Sequence, residues 1–340
     1  MKHAKMSEVF HVAISANERY VPGAMVALAG VAAYAKADTQ LAFHIFTEDV
    51  KGESIDLMRR TLLRLHPKSE IKQHICDESI LAGLPYWAGS RMAAVRCHYA
   101  SLMPDVDWCL YLDCDVLYLA GIEEHFLCRD ESVYACVVQE ESVKTRRDEC
   151  LWISENCEVE IPYEMYFNSG VVLFNFKKMR EDGVPERLIQ FFKDHPKVPS
   201  PDQDALNATF GGKVRMIPPK FDRLQIFLDD AKLAERPVIH YVCGNPWLPK
   251  FGVVANNRFR LWHHFADKYI WNNTGESYRR CFSKKLLFFK YSFFLILKMP
   301  LVGTVFALVM QMMGKTSGAS TWRSNQVGCD ISRKSILGIL

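Results

Sequence analysis

Short apolar runs separated by polar turns mark out the first half of the chain. Val9–Ser15 and Leu41–Thr47 have the length and apolar density of strands, and Glu70–Cys76 reads as a third. Between them, Pro22 opens a helix of small residues running to about Lys36, and Glu53–Leu65 places Ile55, Leu57, Met58, Leu62 and Leu65 at roughly helical spacing. Arg91–Met103 reads as a further helix, stopped by Pro104, that delivers the chain into the strand-like run Trp108–Leu119. Strands alternating with helices predict an α/β protein built on one mostly parallel, doubly wound sheet. Ligands bind such sheets beyond the carboxyl ends of the strands, where Ser15–Tyr20 and the pair Asp113 and Asp115 fall.

The second half is more loop-like. Val133–Val138 reads as a strand, Glu140–Glu160 as a charged surface excursion, and Tyr166–Gly170 as the lead into a strand VVLFNF. Lys177–Lys193 is helical with a break at Gly183–Pro185, Asp202–Phe210 is a short helix with an aspartate placed to cap it, and Val238–Val242 is a late strand. Beyond about residue 275 the composition changes. Residues 279–315 carry seven Lys or Arg and no acid, interleaved with Phe, Leu, Ile and Met. The apolar stretches there fall short of the ~18 to 20 residues of a spanning helix, and a basic helix with aromatics fits an anionic membrane surface. The expected organisation is a catalytic unit over 1–275, a basic amphipathic membrane-associating helical segment over 276–315, and a disordered polar tail over 316–340.

Composition narrows the class further. With 340 residues, 49% of them hydrophobic and 24% charged, the chain is globular, and a formal net charge of +3 gives no reason to expect nucleic acid as a partner. Eleven cysteines without a C-x₂-C pair, several inside apolar runs, point to a reducing compartment, hence the cytosol. The first residues lack the apolar core and cleavage site of a secretory signal.

The chemistry concentrates at Asp113 and Asp115. Charged side chains in an apolar run are costly to bury unpartnered, and strand alternation points both carboxylates one way and Cys114 the other. Two hard oxygen ligands suit Mg²⁺ or Mn²⁺, which keep positions open for phosphate oxygens.

Five blocks in order, VAISANERYV, LYLDCDVL, YFNSGVVLFN, DQDALN and HYVCGNPW, together make the chain resemble glycosyltransferase family 8 over roughly residues 9–265. That family comprises retaining, nucleotide-sugar-dependent enzymes, among them bacterial lipopolysaccharide galactosyl- and glucosyltransferases. The resemblance implies the GT-A fold, a single Rossmann-like sheet domain, and Mn²⁺ (or Mg²⁺) held by Asp113, Asp115 and His240. It implies that the backbone near Ser15 and Ala16 and the side chain of Asn17 meet the base and ribose, with Tyr20 also among the nucleotide-sugar-binding residues. Arg96 would bind the donor sugar or phosphates and Asn168 would lie near the sugar's hydroxyls, with Cys114, Ser169, Gly244 and Asn245 also among the nucleotide-sugar-binding residues. Asp202 and Gln203 would lie below the anomeric carbon. Gln203 carries no formal charge and is a poor nucleophile, so it is assigned to positioning and charge stabilisation, with Asp202 holding sugar hydroxyls and transfer on one face.

Two positions depart from the family pattern. Asn17 stands where an aspartate commonly accepts from uracil, a bond an amide oxygen can also accept. Asn245 stands where a lysine commonly meets the diphosphate, and Lys250 is the nearest replacement. The expected protein is therefore a cytoplasmic enzyme, peripherally associated with the inner leaflet, that moves glucose or galactose from a UDP-sugar to a lipid-linked saccharide such as lipopolysaccharide core. The alternative is a catalytically impaired sugar-nucleotide binder on the same fold. A dinucleotide-binding dehydrogenase is excluded by SANERY where a glycine-rich turn would stand.

Overall fold

The computed structural model describes residues 8–87, 89–242, 244–247 and 259–271. In chain order its strands are β1 (Val9–Asn17), β2 (Gln40–Glu48), β3 (Ser69–Ile75), β4 (Trp108–Leu112), β5 (Val116–Tyr118), β6 (Ala135–Gln139), β7 (Phe167–Asn175), β8 (Val214–Met216), β9 (Arg223–Leu224) and β10 (Val238–His240). The α-helices are α1 (Val21–Tyr34), α2 (Gly52–Leu65), α3 (Glu78–Leu81), α4 (Tyr99–Leu102), α5 (Ile122–Phe126), α6 (Val143–Cys157), α7 (Phe176–Glu181), α8 (Val184–Asp194), α9 (Pro201–Phe210), α10 (Asp230–Ala234) and α11 (Arg260–Ala266).

Period-two alternation builds the centre. Val12 and Ile14 of β1 enter one core with α1 and α2, while Ala13 enters a second core with α4 and α7 to α9 on the opposite face. The seven-stranded sheet has the order β3-β2-β1-β4-β7-β6-β8. Within it β7 alone runs against its neighbours β4 and β6, the other pairings being parallel. The expected α/β architecture, a mixed and mostly parallel sheet flanked by helices, is what the chain adopts. A second sheet, β5-β10-β9, sits beside it.

Helix α1 is buried on nearly every side, which its Ala and Gly content permits. A Cβ on Gly30 would lie 2.4 Å from the Tyr118 carbonyl oxygen, and one on Gly23 would lie 2.4 Å from that of Cys114. The small residues thus let the backbone of β5 and its preceding turn lie directly on the helix.

Four local expectations need correction. Arg91–Met103 is a 3₁₀ helix, Ala94–His98, followed by the single-turn α4. The charged stretch Glu140–Glu160 contains the fifteen-residue helix α6, with Ser142 accepting the Thr145 N–H as its cap (3.2 Å). Only Ile153 of α6 is buried, so no apolar stripe announced the helix. The strand expected to begin at Val171 begins at Phe167, bringing Asn168, Ser169 and Gly170 inside the sheet. Asp202 is not the cap of α9; Ser200 occupies that position. No α-helix among the described residues is long and apolar enough to cross a membrane. Lys250 and residues 276–340 lie outside the described residues.

Candidate functional site

The chain changes sheets at the acidic pair. β4 ends at Leu112 and β5 begins at Val116, so Asp113, Cys114 and Asp115 form a turn and not the interior of a strand as expected. The turn is fastened at both ends: the Asp113 N–H donates to the Gly170 carbonyl (2.7 Å), and the Asp115 carbonyl accepts from the Tyr241 N–H (2.9 Å). Those bonds aim both carboxylates at one point. Cys114 faces away, its thiol donating to the Ser15 carbonyl (3.2 Å).

His240, at the end of β10, completes the cluster. Its Nε2 lies 3.3 Å from Asp115 Oδ1 and 3.8 Å from Asp113 Oδ2, and the three ligand atoms fall within 4.8 Å of one another. Those separations leave room for a cation with ligand distances of ~2.0 to 2.2 Å. Its Nδ1 is 3.1 Å from Asp222 Oδ1, the arrangement that orients a metal-binding imidazole and makes its free nitrogen more basic. Burial opposes charge on His240, yet Asp115 and Asp222 hold its pKa well above the usual imidazole value. Burial, partly offset by His240, pushes Asp222 up to about 6. A proton or a cation can occupy Nε2, and the surrounding carboxylates favour either. The donor set therefore fits a divalent cation.

Arg96 is only 2% exposed, and its guanidinium is committed to the protein. It bonds Asp113 Oδ1 (2.6 Å) and the Ser169 carbonyl (2.6 Å), and lies 3.2 Å from Asp202 Oδ2. Its guanidinium carbon sits 4.1 Å from the centre of the Tyr111 ring. Tyr111 also donates to Asp113 Oδ1, leaving Oδ2 toward His240. Arg96 therefore braces the acidic cluster from behind while lining the same cavity.

That cavity, of about 510 Å³, is within the range of small-ligand sites. It gathers every described residue assigned to the site from the sequence: Ser15, Ala16 and Asn17 from the end of β1, with Tyr20 in the 3₁₀ turn that follows; Asn168 and Ser169 from β7; Asp202 and Gln203 from α9; and Gly244 and Asn245 after β10, around Arg96 and the cluster. Asn17 Oδ1 is buried with no hydrogen-bond partner, an acceptor left for a ligand. Ser15 Oγ is paired to Tyr99, so its hydroxyl is already engaged. Trp247 secures the last block, donating from Nε1 to the Arg19 carbonyl (3.0 Å) and packing edge-on against Tyr20.

Asn168 is held by Glu140, whose Oε2 accepts from its amide (2.7 Å). Gln203 Oε1 accepts the Ser169 N–H (3.0 Å), and Asp202 Oδ2 accepts from Ser169 Oγ (3.1 Å). Glu140, Asp222, Tyr166 and Asp204 are supporting residues that motif reading missed. Asp222 reaches His240 because β9 pairs with β10, placing Leu224 opposite His240, and no local pattern encodes that pairing. Glu140 lay within the stretch read as surface.

Asp204 has a further consequence. Burial, with the Glu149 carboxyl beside it, pushes Asp204 up to about 8, above the ordinary carboxyl value of 3.8. The folded state thus keeps a proton that the unfolded chain releases, so this group's contribution to stability is full below about pH 4 and is lost as pH rises through about 8. Denaturation midpoints should fall between pH 6 and 8.5, and the fall should shrink in Glu149→Gln, whose amide tolerates an ionised neighbour. An unchanged pH dependence in that variant would contradict the assignment.

Comparison with known proteins adds to this geometry. The family model for glycosyl transferase family 8 matches residues 11–250. A lipopolysaccharide 1,2-glucosyltransferase of Escherichia coli is 26% identical over 224 residues, 63% of this chain and 62% of that protein, so the match spans less than two thirds of that relative. General stress protein A of Bacillus subtilis (strain 168) is 20% identical over 303 residues, 80% of this chain and 98% of the relative. Among solved structures, the galactosyltransferase LgtC in complex with donor and acceptor sugar analogs superposes with a TM-score of 0.64 at 22% identity, covering 80% of this chain and 99% of that one. The apo WbbM bifunctional glycosyltransferase gives 0.61 at 16% identity, covering 76% of this chain and 52% of that one. These structures share the fold.

Proposed function

Because this chain belongs to glycosyl transferase family 8, we propose that it is a retaining hexosyltransferase moving glucose or galactose from a UDP-sugar to a lipid-linked saccharide, lipopolysaccharide core or a similar surface glycan. The observation that carries the reading is the convergence, in one cavity, of a cation-ligand cluster, an unpaired acceptor at Asn17 and the amide of Gln203. Asp113, Asp115 and His240 would hold Mn²⁺ or Mg²⁺. When bound, the ion supplies Lewis-acid stabilisation for the negative charge that develops on the departing nucleoside diphosphate.

The remaining work falls to the chain's own groups. Asn17 Oδ1 accepts the N–H of a uracil ring, and the Ser15–Asn17 backbone shapes the slot for base and ribose. Asp202 accepts from donor-sugar hydroxyls, its charge balanced by Arg96. Gln203 places an amide dipole beside the anomeric carbon, where positive charge grows as the leaving group departs. A neutral amide there favours same-face transfer over a covalent sugar–enzyme intermediate.

The E. coli relative's description supports a lipopolysaccharide acceptor, and the basic, apolar composition of residues 276–315 supports a working position at the inner leaflet of the cell membrane. Release of UDP from UDP-glucose or UDP-galactose in the presence of Mn²⁺, abolished by chelation, is the expected result. Thermal stabilisation by UDP with no turnover of any UDP-hexose would instead favour the sugar-nucleotide binder.

A further inference from the structure

Gln203 is gripped at both ends of its amide. Oε1 accepts the Ser169 N–H (3.0 Å), and Nε2 lies 3.1 Å from the Tyr166 hydroxyl. A backbone N–H can only donate, so the oxygen must face Ser169 and the nitrogen must face Tyr166. The tyrosine has one proton, which goes to Asp204 Oδ1 (2.7 Å), and this leaves a lone pair to receive the Gln203 N–H. Asp204 is itself oriented by the Ser200 N–H on Oδ2 (2.9 Å). Tyr166 and Asp204 are both fully buried, and neither lines the cavity.

Every link in this chain has a direction. Reversing the Gln203 amide would set N–H against N–H at Ser169 and give up the bond from Nε2 to the Tyr166 hydroxyl. We propose that Tyr166, held by Asp204, is a positioning residue for sugar transfer: its hydroxyl holds the Gln203 amide in the orientation that the Ser169 N–H sets. The inference rests on the assignment of Gln203 to the transfer step made above. Tyr166 would act only through Gln203, so its loss should reduce the rate of the chemical step and leave donor binding unchanged.

Tyr166→Phe removes the hydroxyl and keeps the ring. The side-chain amide resonances of Gln203, identified by their loss in Gln203→Ala, should shift and broaden in Tyr166→Phe. The kcat for UDP-hexose turnover should fall about tenfold with KM for the donor unchanged, the scale of one lost oriented hydrogen bond. Tyr166→Phe/Gln203→Ala should be no slower than Gln203→Ala alone, since both changes act through one group. Unaltered Gln203 resonances, an unchanged kcat, or a further tenfold loss in the double variant would each overturn the proposal. If Tyr166→Phe fails to fold because Asp204 loses its donor, Tyr166→Phe/Asp204→Asn leaves no carboxylate to go unpaired, keeps an oxygen for the Ser200 N–H and carries the same expectations. A wild-type protein that turns over no UDP-hexose would refute the functional reading and the catalytic half of this inference, while the resonances still decide the orientation.

Discussion

Asp115→Asn is expected to lower cation-supported sugar transfer by about a thousandfold while moving the melting point of the metal-free protein by only a few degrees. Loss of a Lewis-acid contribution of several kcal/mol corresponds to about that factor. The small effect on folding follows from what the side chain touches: Asp115 faces His240 Nε2, and His240 keeps its second partner, Asp222. Asp113 differs. Its Oδ1 neutralises Arg96, which is buried and has Asp202 as its other acidic partner. Breaking a buried charge pair costs about 3–5 kcal/mol, so Asp113→Ala should lose stability as well as activity. Calorimetric titration with Mn²⁺, read beside UDP release and thermal melts, separates the two. Retention of wild-type Mn²⁺ affinity in Asp115→Asn would remove the cluster from consideration as the cation site.

Gly170→Ala should disable the same site from the opposite side without replacing a ligand. An added Cβ would lie 2.1 Å from His240 Cε1 and 2.6 Å from Nδ1, closer than atoms can approach. The strand cannot yield easily, since the Gly170 carbonyl accepts the Asp113 N–H and the next residue, Val171, pairs with Leu112. The imidazole must therefore move, and with it the Asp222 contact that orients it. Loss of such orienting contacts typically weakens metal binding about 10–100-fold, and overpacking of this kind costs about 1–3 kcal/mol. The expected outcome is a weaker Mn²⁺ titration, a matching loss of turnover at low Mn²⁺ and partial rescue at high Mn²⁺. Wild-type affinity would mean that the ring accommodates the methyl group.

Much of the architecture was legible because strand burial writes itself into local pattern. β1, β2 and β4 appear as apolar runs, and α1 as a small-residue helix opened by proline. The same logic failed where burial is not local. α6 buries a single side chain, so its helical character left no stripe to read. Asp113 and Asp115 were correctly paired for a reason that does not hold: they converge because a turn is tied to β7 and β10, not because a strand alternates.

The sequence by itself determined the fold class, the family and many of the groups facing the cavity, since these depend on residue type and order along short motifs. Tertiary structure alone decided how those groups are held. The antiparallel insertion of β7 puts the start of that strand beside the end of β4, which is how Ser169 and Gly170 come to meet Arg96, Asp113 and His240. Pairing of β9 with β10 supplies Asp222, and packing of α9 on β7 supplies the Tyr166–Asp204 clamp on Gln203. Such supports are single polar residues brought together from distant segments. Their energetic value comes from burial and directed hydrogen bonding, which no local pattern of hydrophobic and polar positions records.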